Sequence, residues 1–124
     1  MKNPKKGLLL SSNGDYYEGM WENGKANGYG KFKFRNGEIY EGEFKNNLIC
    51  GKGKLIKKNG DIYQGEFVNG LIQGKGNITK ENGDKFLGYF VNGKKNGFGI
   101  LVDKNGKVIQ IGNWKMDEFI NNND

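Results

Sequence analysis

Apolar and polar residues alternate along this chain with a period of two, and the alternation restarts at fixed intervals. Tyr17, Gly19 and Trp21 fall on one face of an extended segment, with Tyr16, Glu18, Met20 and Glu22 on the other. Gly28, Gly30, Phe32 and Phe34 share a face of the segment that follows, because successive side chains of a strand point oppositely. The pattern predicts short strands joined by tight turns. Asn-Gly pairs at Asn36-Gly37, Asn59-Gly60, Asn82-Gly83 and Asn105-Gly106 mark one set of those turns, since Asn and Gly tolerate the left-handed backbone that hairpins need.

The alternation is itself repeated. Tyr17-Glu18-Gly19-Met20-Trp21 returns as Tyr40-Glu41-Gly42-Glu43-Phe44, Tyr63-Gln64-Gly65-Glu66-Phe67 and Phe86-Leu87-Gly88-Tyr89-Phe90, and the pairs Gly28/Gly30, Gly51/Gly53, Gly74/Gly76 and Gly97/Gly99 keep the same offset. A fixed short period is the mark of a repeat array, in which each unit contacts only its neighbours. The unit, Tyr-Glu-Gly-x-aromatic followed by Gly-x-Gly and Asn-Gly, resembles the MORN repeat (membrane occupation and recognition nexus). By this resemblance residues 1–6 are a basic tail, 7–16 a partial unit, 17–39, 40–62, 63–85 and 86–108 full units, 109–119 a degenerate cap and 120–124 a second tail. The cap departs from the pattern because Gln110 or Ile111 stands where Tyr is expected. The fold class expected is all-β: an elongated single-layer antiparallel β-meander of about five tandem 23-residue hairpin repeats, about ten strands in all.

Register follows from keeping the aromatics together. A two-residue turn at Asn36-Gly37 would put Tyr40 opposite Lys33 and send it to the wrong face. A three-residue loop with Gly37 in the left-handed region and a bulge pairs Phe32 with Tyr40, Gly30 with Gly42 and Gly28 with Phe44. The glycines are then expected to leave room for Trp21, Phe44, Phe67 and Phe90 to lie flat across neighbouring backbone. Glycine in a strand costs roughly 0.5–1 kcal/mol relative to Ala. An aromatic burying roughly 150–250 Å² more than offsets this at about 25 cal/mol per Å².

Composition narrows the function classes. With 22 Gly, one Pro and 35% hydrophobic residues, and a mean hydropathy of −0.80, the chain lacks the apolar surface of a two-layer core. No apolar run approaches the length of a membrane-spanning helix, and Leu8-Leu9-Leu10 is too short for a secretory signal core. A cytoplasmic location is the expectation, and the single cysteine, Cys50, fits a reducing compartment. Catalysis is hard to stage without His, with one unsupported Cys and with carboxylates spread along a flat sheet. Gly19 to Ala26 has the spacing of a phosphate loop but ends in Ala26 where Ser or Thr must hold magnesium, and no helix follows. Neither a cofactor nor a metal is expected. Relatives with enzymatic activity carry it in an added module, and no residues of this sequence remain for one.

What varies between units points to binding. Opposite the aromatic face, the first unit is polar, whereas the fourth carries Leu87, Tyr89, Val91, Phe98, Ile100 and Val102 at the same places. Such a patch calls for cover by a protein partner in a larger assembly, by a second copy as a homodimer, or by the segment Trp114 to Ile120 folding back. At the hairpin tips, Leu48-Ile49 and Leu71-Ile72 replace Lys25-Ala26 and Lys94-Lys95 and are expected to form an apolar ridge. The formal net charge of +6 raises an alternative, peripheral binding to anionic phospholipid through Arg35, Lys57, Lys58, Lys80 and Lys104 near the Asn-Gly turns. Nucleic acid is not expected, because that edge lacks exposed aromatics for base stacking. The reading is a non-catalytic scaffold or adaptor. The resemblance implies a ciliary or cytoskeletal setting, as in radial spoke heads, parasite cytoskeletal collars and a small myosin-tail adaptor.

Overall fold

The structure, a computed structural model, describes residues 5–121. Eleven strands form one sheet in sequence order: β1 (Lys5–Leu10), β2 (Tyr16–Glu22), β3 (Lys25–Lys33), β4 (Ile39–Lys45), β5 (Leu48–Ile56), β6 (Ile62–Val68), β7 (Leu71–Thr79), β8 (Lys85–Val91), β9 (Lys94–Val102), β10 (Val108–Lys115) and β11 (Glu118–Asn121). Every neighbouring pair is antiparallel, as a meander requires. The count exceeds the ten expected because β11 pairs with β10 as an extra edge strand. Lys5 and Lys6, assigned to a tail, belong to β1 opposite Trp21 and Met20, and Ile120 and Asn121 extend β11 past the expected end of the cap.

Two kinds of turn alternate. At the Asn-Gly loops, Phe34 N donates to Glu38 O at 2.8 Å and Gly37 N to Phe34 O at 2.9 Å, with Gly37 at φ 99°. This is the three-residue bulged loop, and Phe32 accordingly faces Tyr40. At the opposite ends of the strands, the tips are two-residue turns with both residues left-handed, as in Asn23-Gly24 at φ 54° and 77°, the twist-compatible geometry for a hairpin. Each tip is stitched to the one before it: Asn47 N donates to Ala26 O, Gly70 N to Ile49 O and Gly93 N to Ile72 O. In the β9–β10 hairpin, Gln110 faces Leu101 and so holds the place of the missing aromatic, while a shift between Val108 and Gln110 absorbs the extra residue and turns Ile111 to the other face, opposite Ile100.

The core is the aromatic face. Tyr17, Tyr40, Phe44, Phe67, Phe86, Phe90 and Trp114 are buried there, and their rings meet edge to face in a zigzag: Trp21–Tyr17–Phe44–Tyr40–Phe67, then Phe90–Phe86–Trp114–Phe119, with the ring centres 5.0–5.5 Å apart. The glycines serve two purposes that the sequence did not separate. The first of each pair takes a positive φ, such as Gly28 at 100° and Gly51 at 81°, which only glycine adopts without strain. The second lies beneath a ring: at Gly30, Gly53 and Gly99 the ring is the leading aromatic of the unit, which corrects the expectation that Phe44, Phe67 and Phe90 fill this space, whereas Trp21 does lie over a glycine, Gly7. A Cβ on Gly53 would sit 2.5 Å from Tyr40 Cε1, and one on Gly99 would sit 2.5 Å from Phe86 Cε1. The tyrosine hydroxyls then bond to the backbone of their own strand, Tyr17 to Met20 O at 2.8 Å and Tyr40 to Glu43 O at 3.0 Å.

The third unit breaks this rule. Tyr63 is only half-buried and stands under the Lys57 ammonium, 5.8 Å from the ring centre. Ile72 enters the vacated space, with its Cδ1 2.5 Å from where a Cβ on Gly76 would be. The zigzag of rings is interrupted there, and Ile72 with Ile78 carries the core across the gap.

Candidate functional site: the outer face and the turn edge

The face opposite the aromatics is ordered in rows that cross the sheet. One row runs Leu8, Glu18, Lys31, Glu41, Lys54, Gln64, Asn77, Leu87, Ile100, Ile111. Beside it, on the tip side, the pairs Tyr29–Glu43, Lys52–Glu66, Lys75–Tyr89 and Phe98–Asn113 continue from strand to strand. Between the rows lie glycines whose side-chain direction is inward, so bare backbone forms the floor of a trough. Three adjoining depressions make it up, sharing Tyr29 and Glu41 at one junction and Gln64, Gly65 and Lys75 at the next. The central one measures about 520 Å³.

The chemistry of the trough changes along its length. At the β2–β5 end, Glu41 bridges Lys31 at 3.9 Å and Lys54 at 3.5 Å, partly exposed pairs worth a few tenths of a kcal/mol each at most. At the β8–β10 end it is apolar. Leu87, Tyr89, Val91, Phe98 and Ile111 are exposed, Tyr89 and Phe98 by 47% and 50%, while Ile100 and Val102 are half-buried. The segment from Trp114 to Ile120 does not fold over this surface. Trp114 and Phe119 pack on the inner face and β11 extends the sheet edge, so no described residue of the chain covers the patch.

The tip residues divide between faces. Leu48 and Leu71 point outward and are exposed, but Ile72 is 2% exposed in the core and Ile49 packs against it. The expected four-residue ridge is corrected to Leu48 and Leu71; the isoleucines are structural. Leu71 pairs with Val68 and reaches the next tip, where a Cβ on Gly93 would be 3.4 Å from its Cδ2. The tip and the fourth-unit patch are therefore parts of one surface, a continuity that no single repeat displays in sequence.

The turn edge is not basic. Six cations gather there (Arg35, Lys57, Lys58, Lys80, Lys104, Lys107), but so do six acids (Asp15, Glu38, Glu81, Asp61, Asp84, Asp103). The acids build a ladder between successive loops: Arg35 N donates to Asp15, Lys58 N to Glu38, Glu81 N to Asp61 and Lys104 N to Asp84. Lys57 pairs with Glu38 at 3.5 Å and Lys80 with Asp61 at 3.0 Å. Burial pushes the Asp61 carboxyl upward, but its bonds from Glu81 N, Lys80 and Asn59 outweigh this and hold its pKa below the usual carboxylate value. Counting lysines alone overstated this edge, because the acids that cancel them lie at the ends of the neighbouring strands.

Among the described residues no helix is long and apolar enough to cross a membrane. Comparison with curated proteins finds no match. The MORN repeat family profile matches residues 17–39, 40–62, 63–85 and 86–108. Those four tandem matches span most of the sequence and coincide with the hairpin period of the sheet, and the chain belongs to the MORN-repeat family.

Proposed function

We propose that this protein is a non-catalytic scaffold that holds a protein partner on the outer face of its sheet, in a ciliary or cytoskeletal assembly. The observation that carries this reading is the uncovered apolar surface formed by Leu71, Val68, Leu87, Tyr89, Phe98 and Ile111. Large exposed apolar patches on a soluble protein mark interaction sites, and aromatic anchors such as Tyr89 and Phe98 supply most of the binding energy where they become fully desolvated. The trough beside them accepts an extended segment running across the strands. Peripheral lipid binding ranks lower because the turn edge carries as many acids as cations.

The test is affinity capture from native lysate with three proteins: wild type, Tyr89→Ser/Phe98→Ser and Lys57→Glu/Lys58→Glu/Lys104→Glu. Partners retained by the wild type and by the lysine variant, but lost from the first variant, support the proposal. Loss from the lysine variant alone, with salt-sensitive sedimentation on anionic vesicles, overturns it in favour of lipid or acidic ligands.

A further inference from the structure

An open sheet has two edges, and each presents unpaired N–H and C=O groups to any strand that approaches. The edges of this sheet are unequal. At the far end, β11 is four residues long, begins with Glu118 and turns Phe119 onto Trp114, so it is blunted by length and charge. At the near end, β1 runs six residues in unbroken register with β2. Its last three residues, Leu8, Leu9 and Leu10, are 66%, 51% and 72% exposed. Lys5 and Lys6 guard the first part of the strand only. From Leu8 to Leu10 there is no charge, proline or bulge of the kind that keeps natural edges apart.

We infer that β1 is a pairing edge for a second copy of this chain, joined antiparallel about a twofold axis through Leu9. Such an axis is perpendicular to the sheet and keeps the aromatic face of one copy continuous with that of the other. In β1, Leu9 faces inward opposite Tyr17, while Leu8 and Leu10 face outward opposite Glu18 and Tyr16. An axis at Leu9 sets Leu9 against Leu9 on the inner face and Leu8 against Leu10 on the outer. It also keeps the four lysines of the two strands away from one another. Centring on Leu8 sets Lys6 across from Leu10, and centring on Lys6 sets like charges together, which is unfavourable for directly opposed residues. A second copy fits better than an acidic strand, because an acidic strand would engage only Lys5 and Lys6 and leave the leucines exposed. The joined sheet carries its two apolar outer patches at opposite ends, so the dimer is bivalent and gains avidity for a partner that repeats along a filament or complex. In this register only Leu8, Leu9 and Leu10 of each β1 face one another, so the contact is short and association is weak and concentration-dependent.

Sedimentation velocity of the full chain from about 10 µM to roughly 1 mM, a range that covers weak association, tests this. The expected result is a shift from monomer to dimer mass that is abolished by Leu9→Lys, with far-UV circular dichroism and melting temperature close to wild type. In a Cys50→Ser background, Leu9→Cys is expected to form an intermolecular disulfide under mild oxidation, whereas Leu8→Cys is not. Monomer mass throughout overturns the inference, as does a dimer that survives Leu9→Lys. A disulfide from Leu8→Cys and not from Leu9→Cys overturns the register. Dimer loss in Tyr89→Ser/Phe98→Ser with Leu9→Lys still dimeric would assign self-association to the outer face instead. Partner capture by a monomeric Leu9→Lys protein shows that the scaffold reading stands independently.

Discussion

The ring of Tyr40 lies over Gly53 so closely that a Cβ on that glycine would fall 2.5 Å from the tyrosine Cε1 and Cζ. Tyr40 is fully buried, and its hydroxyl is bonded to Glu43 O, so neither partner has room to move. Gly53→Ala is therefore expected to destabilise the array by about 1–3 kcal/mol, the usual cost of overpacking. Tyr40→Ala should cost about 3–5 kcal/mol, and Trp21→Ala less, because Trp21 is only partly buried. Urea midpoints check the order; a Gly53→Ala protein as stable as wild type would show that the ring is not confined.

The same burial sets a limit at high pH. Desolvation, opposed in part by the bond to Glu43 O, pushes the Tyr40 hydroxyl up to about 12, above the ordinary tyrosine value of about 10. The folded protein holds this proton after the unfolded chain has released it. The stability associated with the neutral hydroxyl is thus fully present below about pH 10 and is lost as pH rises towards about 12. Burial raises the Tyr17 hydroxyl as well, and the bond to Glu18 raises that of Tyr16. Ultraviolet absorbance titration should therefore show a late tyrosine step coincident with unfolding whose amplitude falls, without vanishing, in Tyr40→Phe.

At low pH the sensitive group is Asp61. Its carboxyl is buried and its pKa is lowered, so the stability it contributes is present above the unfolded value near 3.9 and is lost as pH falls through the lower folded value. Asp61→Asn keeps the size but weakens the bonds to Glu81 N and Lys80. An expected loss of about 1–2 kcal/mol at pH 7, shrinking in acid, can be read from melting curves at pH 7 and below pH 3.

Cys50 interrupts a second ladder. In the other units Asn27, Gln73 and Asn96 accept a bond from the first turn residue of the next tip: Asn46 N at 3.1 Å, Asn92 N at 2.8 Å and Met116 N at 3.4 Å. Cys50 holds the same place in the repeat, one period after Asn27 and one before Gln73, and brings a thiol where they bring an amide oxygen. Cys50→Asn is expected to restore the bond and stabilise the fold by about 0.5–1.5 kcal/mol. Thermal unfolding at neutral pH decides it, with Cys50→Ala as the control expected to gain nothing from this bond.

Strand alternation, hairpin order and the bulged Asn-Gly loops followed from sequence alone, because side-chain period and turn chemistry are local. Once Phe32 and Tyr40 had to share a face, only one loop length served, and Phe32 faces Tyr40 in the sheet. The fourth unit was also legible as the unusual one, since its apolar residues occupy positions that are polar in the first.

Tertiary structure decided whatever depends on neighbours one repeat away. Ile72 and Leu71 are adjacent apolar residues in one tip, yet one is core and the other surface, because the tip's pairing register with the preceding strand, together with the retreat of Tyr63, sets which side chain turns inward. Likewise the lysines of the turn edge read as a basic strip until the sheet brings Asp61 against Lys80 and Glu38 against Lys57. Electrostatics and burial are sums over space, and in a meander the nearest neighbours in space are about one repeat apart in sequence. The repeat thus determined the frame, while the stacking of unlike repeats decided which residues remain free to bind.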